Sequence, residues 1–188
     1  HRGGGRGGRS RERFSILVGD LPQSDAEAIV NAANTTLLGG AGVDGAIHAA
    51  AGPELLAECR TLGGCERGQA KLTRGYRLRA KYVLHTPGPI WRGGDHGEAE
   101  VLASCYRSCL ELAADHGIRT LDFCSISTGV YGYPLPQAAT VALRAIMDFL
   151  AEHPLPERVR MVCHTKQAAE VYRQTWNLWY AEDKSQRL

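Results

Sequence analysis

A glycine-rich segment that follows a short apolar strand constrains this chain more than any other feature. Residues 39–48 read Gly-Gly-Ala-Gly-Val-Asp-Gly-Ala-Ile-His, and residues 29–34, Ile-Val-Asn-Ala-Ala-Asn, precede them. Without a Cβ, glycine permits positive φ and lets successive N–H groups converge on anionic oxygens. A helical pattern starts within the segment, and the N-terminus of a helix favours an anion. The segment therefore predicts a loop that holds the diphosphate of a nucleotide-like ligand.

A second loop has the same character. Residues 125–134 read Ser-Ile-Ser-Thr-Gly-Val-Tyr-Gly-Tyr-Pro; they follow the apolar run 121–124 and precede a helical pattern. Proline is tolerated in the first turn of a helix, so Pro134 marks the start of that helix. Because parallel strands deliver the loops that follow them to one edge of a sheet, the two loops are expected to clamp one diphosphate.

The apolar periodicity of the chain predicts alternating strands and helices. Strands are predicted at 14–18, 28–30, 70–73, 82–85, 120–125 and 158–164. Helices are predicted at 43–51, 53–62, 98–116, 135–153 and 167–180. Runs such as 16–18 and 161–163 lack polar alternation, so these strands are expected to be buried on both faces. The pattern is typical of a layered α/β domain.

The composition divides the chain into a short arm and one domain. Residues 1–13 are rich in glycine, carry five arginines and one glutamate, and lack apolar periodicity. They are predicted to form a flexible arm or to be an expression remnant, and residues 14–188 to form a single domain. The arginines make the arm the one feature that suggests contact with nucleic acid, and a solubilising extension is the alternative.

Cysteine usage and hydropathy set further limits. The six cysteines include no CxxC pair, which argues against a zinc site and favours reduced thiols. No apolar run approaches the roughly 18 residues that span a membrane. The sequence predicts a monomeric, cytoplasmic protein that uses neither a metal nor a cofactor and does not bind membranes.

A Rossmann-type dinucleotide site is one reading of the first loop. Residues 40–45 formally match G-x-G-x-x-G, but that fingerprint should come directly off a strand. Nine residues, 31–39, separate the match from the predicted strand. This reading is therefore disfavoured.

Several polar and aromatic side chains near the loops have both a binding and a local structural interpretation. Asn31 and Asn34 suit a sugar hydroxyl, or they bond their own backbone in a turn. Asp44 either hydrogen-bonds to a ribose or a water molecule at the site, or is an acidic residue that favours a helix N-terminus. Asp20 accepts from an exocyclic amine, or caps a turn. Tyr131, which is bracketed by glycines, covers a sugar or is buried at the loop tip.

Taken together, four segments resemble the macrodomain family, and specifically its MacroD-like branch of ADP-ribose-processing enzymes. The segments are residues 18–21 (Val-Gly-Asp-Leu), 29–34, 39–48 and 127–134, in the order and spacing of the family. The resemblance covers about residues 14–180. It implies a three-layer α/β/α fold with a mixed, mostly parallel central sheet, and an ADP-ribose cleft at the strand ends.

The resemblance also implies a role for each site residue. Asp20 would contact the adenine amine, with Leu21 beside the ring. Asn34 would hold the distal ribose, and Asp44 would be the acid–base or water-orienting residue next to it. The residues that would cradle the diphosphate through their backbone are Gly42, Val43, Ser127, Thr128, Gly129, Val130 and Tyr131, and the ring of Tyr131 would cover the distal ribose.

The chain departs from the family pattern at two positions. Ala41 stands where the family usually has glycine, so a more restricted backbone and a smaller substrate space are expected there. Cys163, His164 and Thr165 stand where an aromatic residue commonly stacks near adenine, and His164 is expected to stack instead. His48 is interpreted as a packed or capping histidine.

These observations predict a hydrolase that removes mono-ADP-ribose from glutamate and aspartate esters of proteins. O-acetyl-ADP-ribose carries the same kind of ester and is expected to be a second substrate. Two alternatives stay open: a reader that binds ADP-ribose without cleaving it, and an enzyme that removes ADP-ribose from nucleic acid. The expected partners are ADP-ribose and mono-ADP-ribosylated proteins, with ADP-ribosylated nucleic acid as the alternative.

Overall fold

The computed structural model describes residues 10–180. Its strands are β1 Phe14–Val18, β2 Ala28–Ala33, β3 Lys71–Arg74, β4 Tyr82–Pro87, β5 Thr120–Phe123 and β6 Arg158–Cys163. Its helices are α1 Gly42–Ala51, α2 Pro53–Arg60, α3 Glu98–Asp115, α4 Leu135–Glu152 and α5 Lys166–Trp179, with a 3₁₀ helix at Leu21–Gln23.

The six strands form one mixed sheet in the order β1-β6-β5-β2-β4-β3. All neighbours are parallel except β3, which pairs antiparallel to β4 at one edge. The carboxyl ends of β1, β2, β4, β5 and β6 therefore share one edge of the sheet. The predicted mixed, mostly parallel sheet is confirmed.

Helices cover the sheet on both faces. The crossovers β4-α3-β5 and β5-α4-β6 run in the same direction across the sheet, so the right-handed rule places α3 and α4 on one face. Contacts of α4 with α3 and α5 extend that layer, whereas α1 packs against α2 and β2. The central strand β2 is buried along nearly its whole length, as expected for a strand covered on both sides. The three-layer α/β/α architecture follows.

The elements predicted from the pattern are all present, with small shifts at their ends. The largest shift is in β2, which was expected to end at Val30 and continues to Ala33. Its last residues pair with β4 in register, Asn31 opposite His85 and Ala33 opposite Pro87. Pairing with a neighbour therefore extends the strand through residues whose composition suggests a loop.

The beginning of the domain lies earlier than the composition suggests. Ser10 Oγ donates to the carbonyl of Leu150 at 3.1 Å, and the guanidinium of Arg13 donates to Leu150 and Pro156 carbonyls. Both residues belong to the predicted arm, yet they bond to the folded domain. The rest of the arm, residues 1–9, lies outside the described residues, as do residues 181–188. None of the helices within residues 10–180 combines the length and apolarity needed to cross a bilayer.

Candidate active site

A cleft of about 600 Å³ opens at the edge of the sheet where five strands end. The residues Gly19, Asn34, Gly88, Cys124 and His164, each directly after one of these strands, all line it. Its size falls in the usual range for a cofactor-sized ligand. All the residues to which the family resemblance assigns a role line this cleft: Asp20, Leu21, Asn34, Gly42, Val43, Asp44, Ser127, Thr128, Gly129, Val130 and Tyr131.

The N-terminus of α1 points its free backbone donors into the cleft. The first residues of an α-helix have no intrahelical acceptor for their N–H groups. The first such bond in α1 runs from Gly45 to Ala41 at 3.4 Å, so Gly42, Val43 and Asp44 keep unpaired N–H groups among the described residues. These donors, with the helix dipole, form a site for an anion.

The loop after β5 supplies a second row of donors. Ser127 has φ +68°, a left-handed conformation that costs energy for a residue with a side chain. Its Oγ donates to Pro89, and its carbonyl accepts from Tyr133, which fixes the turn. Within the described residues, the N–H groups of 128–131 find no protein acceptor. Four successive free amides thus line the cleft opposite α1 and suit the oxygens of a diphosphate.

A buried carboxylate stiffens the neighbouring loop between β4 and α3. Glu98 accepts from the backbone N–H groups of Arg92, Gly94 and His96 at 2.7–3.0 Å. Burial alone would raise the pKa of Glu98, but these donors outweigh it and lower that pKa to about 2. In the same loop, the backbone N–H of Trp91 donates to the backbone carbonyl of Tyr131 at 2.8 Å. The two loops therefore support each other.

Arg67 contacts the same two loops. Its guanidinium donates to the carbonyl of Gly88 at 2.7 Å and lies 5.3 Å from the centroid of the Tyr131 ring. A cation at this distance from an aromatic face is attracted to it. Val130, by contrast, is 88% exposed at the tip of the loop. Arg67 thus fixes the ring that is predicted to cover the distal ribose, and the sequence pattern gave no indication of this role.

Asn34 uses its side chain locally and still faces the cleft. Its Oδ1 accepts from the N–H groups of Thr36 and Leu37 and from the Thr36 hydroxyl, so the turn interpretation holds. Its Nδ2 donates one hydrogen to the carbonyl of Gly39 at 3.0 Å. The second hydrogen of Nδ2 has no acceptor among the described residues and is available to a ligand. Local bonding therefore orients the amide for a ligand rather than excluding one.

Asp44 is buried at the base of the cleft, and its two oxygens have different surroundings. Oδ1 accepts from Asn31 Nδ2 at 2.9 Å and lies 3.5 Å from His48 Nε2. Oδ2 lies 3.1 Å from the point that a Cβ on Gly40 would occupy, and Asn34 Nδ2 lies 3.7 Å from that point. The missing side chain of Gly40 therefore leaves a space where Asp44 and Asn34 converge.

Desolvation sets the acidity of Asp44. Burial raises the pKa of its carboxyl group, while the Asn31 hydrogen bond and the His48 ring lower it. Burial is the largest of these effects, so the carboxylate is a stronger base than an exposed aspartate. A carboxylate of this kind can accept a proton from a water molecule in the cleft.

Two residues beside Asp44, Asn31 and His48, also had an interpretation from the sequence. Asn31, a candidate for a sugar hydroxyl, is wrong in that role: it is completely buried in β2 and bonds Asp44. It is covered because β2 continues to Ala33, so that Asn31 lies inside the sheet and the cleft lining from this strand begins at Ala32. His48, interpreted as a packed or capping histidine, is packed: its Nε2 lies 3.5 Å from the Asp44 carboxylate, one helical turn away.

The opposite end of the cleft carries the predicted adenine contacts. Asp20 takes the N-cap position of the 3₁₀ helix, but its side chain makes no capping bond. The exposed carboxylate is therefore free to accept from a ligand, with the buried Leu21 beside it. His164 is exposed at the end of β6 and lines the same region. Ala41 has φ −98° and ψ −178°, an extended conformation open to any residue, so the alanine imposes no strain there.

The chemistry open to the cleft does not include a thiolate. Cys124 and Cys163 line it, and burial raises their pKa to about 12 and about 11. Both thiols are therefore protonated at neutral pH and poor nucleophiles. Within residues 10–180, no group of three His, Cys, Asp or Glu side chains is arranged to hold a metal ion. Asp44 is the side chain best placed to act on a water molecule.

Known proteins share both this sequence and this fold. The Macro domain family model matches residues 30–142. A Macro domain-containing protein of Methanosarcina mazei is 55% identical over 159 residues, 85% of each chain. An O-acetyl-ADP-ribose deacetylase of Salmonella gallinarum is 51% identical over 164 residues, 85% of this chain and 92% of that one.

Solved structures agree with the sequence comparisons. A glycine-to-valine variant of the Oceanobacillus iheyensis macrodomain with ADPR superposes with a TM-score of 0.86 at 40% identity, covering 89% of this chain and 93% of that one. The family model covers most of the domain, the relatives named above are about half identical in sequence, and the fold is shared. The chain belongs to the macrodomain family.

Proposed function

We propose that this protein hydrolyses esters on the distal ribose of ADP-ribose, as in glutamate- or aspartate-linked mono-ADP-ribose on proteins and in O-acetyl-ADP-ribose. The observation that carries the proposal is the buried Asp44 carboxylate, whose Oδ2 faces the space left by Gly40 beside Asn34. The deacetylase name of the Salmonella relative and the ADPR-bound neighbour support the same ligand.

The two rows of amide donors support the binding half of the proposal. The N-terminus of α1 and the loop 127–131 face one cleft and carry no lysine or arginine of their own. Backbone N–H groups and a helix dipole therefore supply the attraction for the diphosphate. Asp20 lies at one end of this cleft and Asn34 at the other, which suits a ligand with adenine on one side and a ribose on the other.

The catalytic half requires only one positioned water. In the proposed step, Asp44 Oδ2 accepts a proton from that water while the water oxygen bonds to the ester carbonyl carbon. The bond between that carbon and the ribose oxygen then breaks, and the ribose oxygen takes the proton from Asp44, which restores the carboxylate. The products are free ADP-ribose and a carboxylic acid. Because an ester is already activated, correct placement of the water supplies most of the rate.

Time-resolved release of ADP-ribose from a glutamate-modified protein tests the proposal. The parent chain is compared with Asp44→Ala and Asn34→Ala, and binding of free ADP-ribose is measured by calorimetry on all three. Release that falls at least tenfold in both variants, about 1.4 kcal/mol of barrier, is expected. A parent that binds ADP-ribose without releasing it from either ester would overturn the proposal in favour of a reader.

A further inference from the structure

A line of buried polar side chains runs through the sheet from its edge to Asp44. Thr73 Oγ1 on β3 lies 2.8 Å from His85 Nε2 on β4. His85 Nδ1 lies 3.1 Å from Asn31 Nδ2 on β2, and that amide nitrogen donates to Asp44 Oδ1 at 2.9 Å. Thr73, His85 and Asn31 are completely buried, and Asp44 is nearly so.

The carboxylate fixes the direction of every hydrogen bond in this line. Nδ2 of Asn31 has two hydrogens, one for Asp44 and one for His85 Nδ1. Nδ1 must then accept, so the ring proton sits on Nε2 and is donated to Thr73. The reversed amide would place Asn31 Oδ1 against the Asp44 carboxylate, with two acceptors 2.9 Å apart. The line is therefore consistent with one amide orientation and one histidine tautomer.

This orientation of the Asn31 amide leaves one of its polar atoms without a partner. Asn31 Oδ1 is buried without a hydrogen-bond partner among the described residues. An unpaired buried carbonyl is unfavourable, and only the two bonds at Nδ2 offset it. Burial, with a smaller effect of the His48 ring, lowers the pKa of His85 to about 3, so the ring is neutral and can accept at neutral pH.

We propose that His85 and Thr73, which do not line the cleft, are positioning residues for Asp44. Through the Asn31 amide they hold Oδ1 in place, which leaves Oδ2 facing Gly40 and the cleft. The inference rests on the proposed function, in which Oδ2 takes a proton from water. It assigns a role in that reaction to a threonine at the far edge of the sheet.

The substitution Thr73→Val tests the line at the end that is most distant from the substrate. Valine has the same shape as threonine and suits a strand, but it removes the oxygen acceptor for His85 Nε2–H. The other group within reach of Nε2 is Cys59 Sγ at 3.9 Å, a weak acceptor. The buried Nε2–H then lacks its oxygen acceptor, and this cost favours the tautomer protonated on Nδ1. In that tautomer the ring no longer accepts from the Asn31 amide, so the amide holds Asp44 less firmly. Thr73→Ser keeps the hydroxyl and is the matched control.

The expected kinetic result is a kcat for ester hydrolysis at least fivefold lower in Thr73→Val, with KM changed less than twofold. Thr73→Ser is expected to stay within twofold of the parent in both constants. Urea unfolding of all three chains checks that they are folded under assay conditions. A Thr73→Val variant with the kcat of the parent would overturn the proposal.

A second readout does not depend on turnover. The ¹³C resonance of the Asp44 carboxyl group reports its titration, and ¹⁵N shifts of His85 report which ring nitrogen carries the proton. The titratable groups facing Asp44 are His48, Cys59 and Cys124, all unchanged in the variant. Thr73→Val is expected to change the His85 tautomer and displace the Asp44 titration, whereas Thr73→Ser preserves both.

The two readouts separate the possible failures. If the parent binds ADP-ribose but hydrolyses neither ester, the proposed function fails, and the NMR titration still decides whether the line holds Asp44. If the parent hydrolyses esters and Thr73→Val leaves both the tautomer and the titration unchanged, the positioning role is wrong while the function stands.

Discussion

Protonation of His85 is expected to set the acid limit of the fold. Burial, with a smaller effect of His48, lowers the pKa of this ring from 6.5 to about 3. In the unfolded chain the imidazole is exposed and keeps its ordinary pKa near 6.5. Below pH 6.5 the unfolded state therefore binds a proton that the folded state excludes. The free energy of unfolding must fall as the pH falls from 6.5 towards 3.

The size of the effect follows from the width of this pH window. Each pH unit between the two pKa values changes the free energy of unfolding by about 1.4 kcal/mol. Going from about pH 7.5 to about pH 4.5 crosses roughly two units of the window, so His85 removes about 3 kcal/mol. A loss of that size is a large part of the roughly 5–15 kcal/mol that stabilises a domain.

Urea unfolding at the two pH values measures this loss. The chains compared are the parent, His85→Gln and His116→Gln, whose histidine is exposed at the end of α3. Groups common to the three chains cancel in the comparison. Between the two pH values His85→Gln is expected to lose about 3 kcal/mol less than the parent, and His116→Gln as much as the parent. Equal losses in the parent and His85→Gln, to within about 0.5 kcal/mol, would refute the reasoning.

The cleft allows three further predictions. Gly40→Ala places a Cβ 3.1 Å from Asp44 Oδ2 at a position without positive φ. Ester hydrolysis is expected to fall at least tenfold, while the free energy of unfolding stays within about 0.5 kcal/mol of the parent. Unchanged kinetics would show that the reaction does not use this space. Arg67→Gln and Tyr131→Leu are each expected to weaken ADP-ribose binding in calorimetry. The double variant is expected to lose about 0.5–1 kcal/mol less binding free energy than the sum of the two single losses. Strictly additive losses would mean that the ring and the guanidinium act independently. Because burial raises the pKa of Asp44, kcat/KM for ester hydrolysis is expected to rise with pH through that pKa and then to level off, measured where urea unfolding shows the chain to be folded. A profile without an acidic limb in that range would contradict the role of Asp44 as a base.

The sequence predicts the fold well because its periodicity is local. Strands such as 161–163 are continuous apolar runs, and the pattern places helices between them. The two glycine loops could be placed for the same reason, since each lies between a readable strand and a readable helix. The predicted end of β2 was wrong because the pairing of Asn31 with His85 across the sheet extends the strand through residues 31–33, whose composition is typical of a loop.

The parts of the site that the sequence missed depend on contacts between distant segments. Thr73, His85 and Asn31 meet only because three strands pair in one register. Arg67 reaches the ring of Tyr131 from a loop 64 positions earlier in the chain. No spacing rule connects such residues, whereas the family resemblance brought Asp44 and Asn34 to attention because both fall within short motifs.

The central claim, that Asp44 in this cleft takes a proton from the attacking water, is tested most directly by Asp44→Asn. This variant keeps the shape of the side chain and loses the basic carboxylate. O-acetyl-ADP-ribose hydrolysis and ADP-ribose affinity are measured together on the parent, on Asp44→Asn and on Asp115→Asn, an exposed aspartate at the end of α3. We expect kcat to fall at least tenfold in Asp44→Asn alone, with ADP-ribose affinity within about threefold of the parent. A kcat equal to that of the parent, with ADP-ribose bound equally well, would contradict the claim.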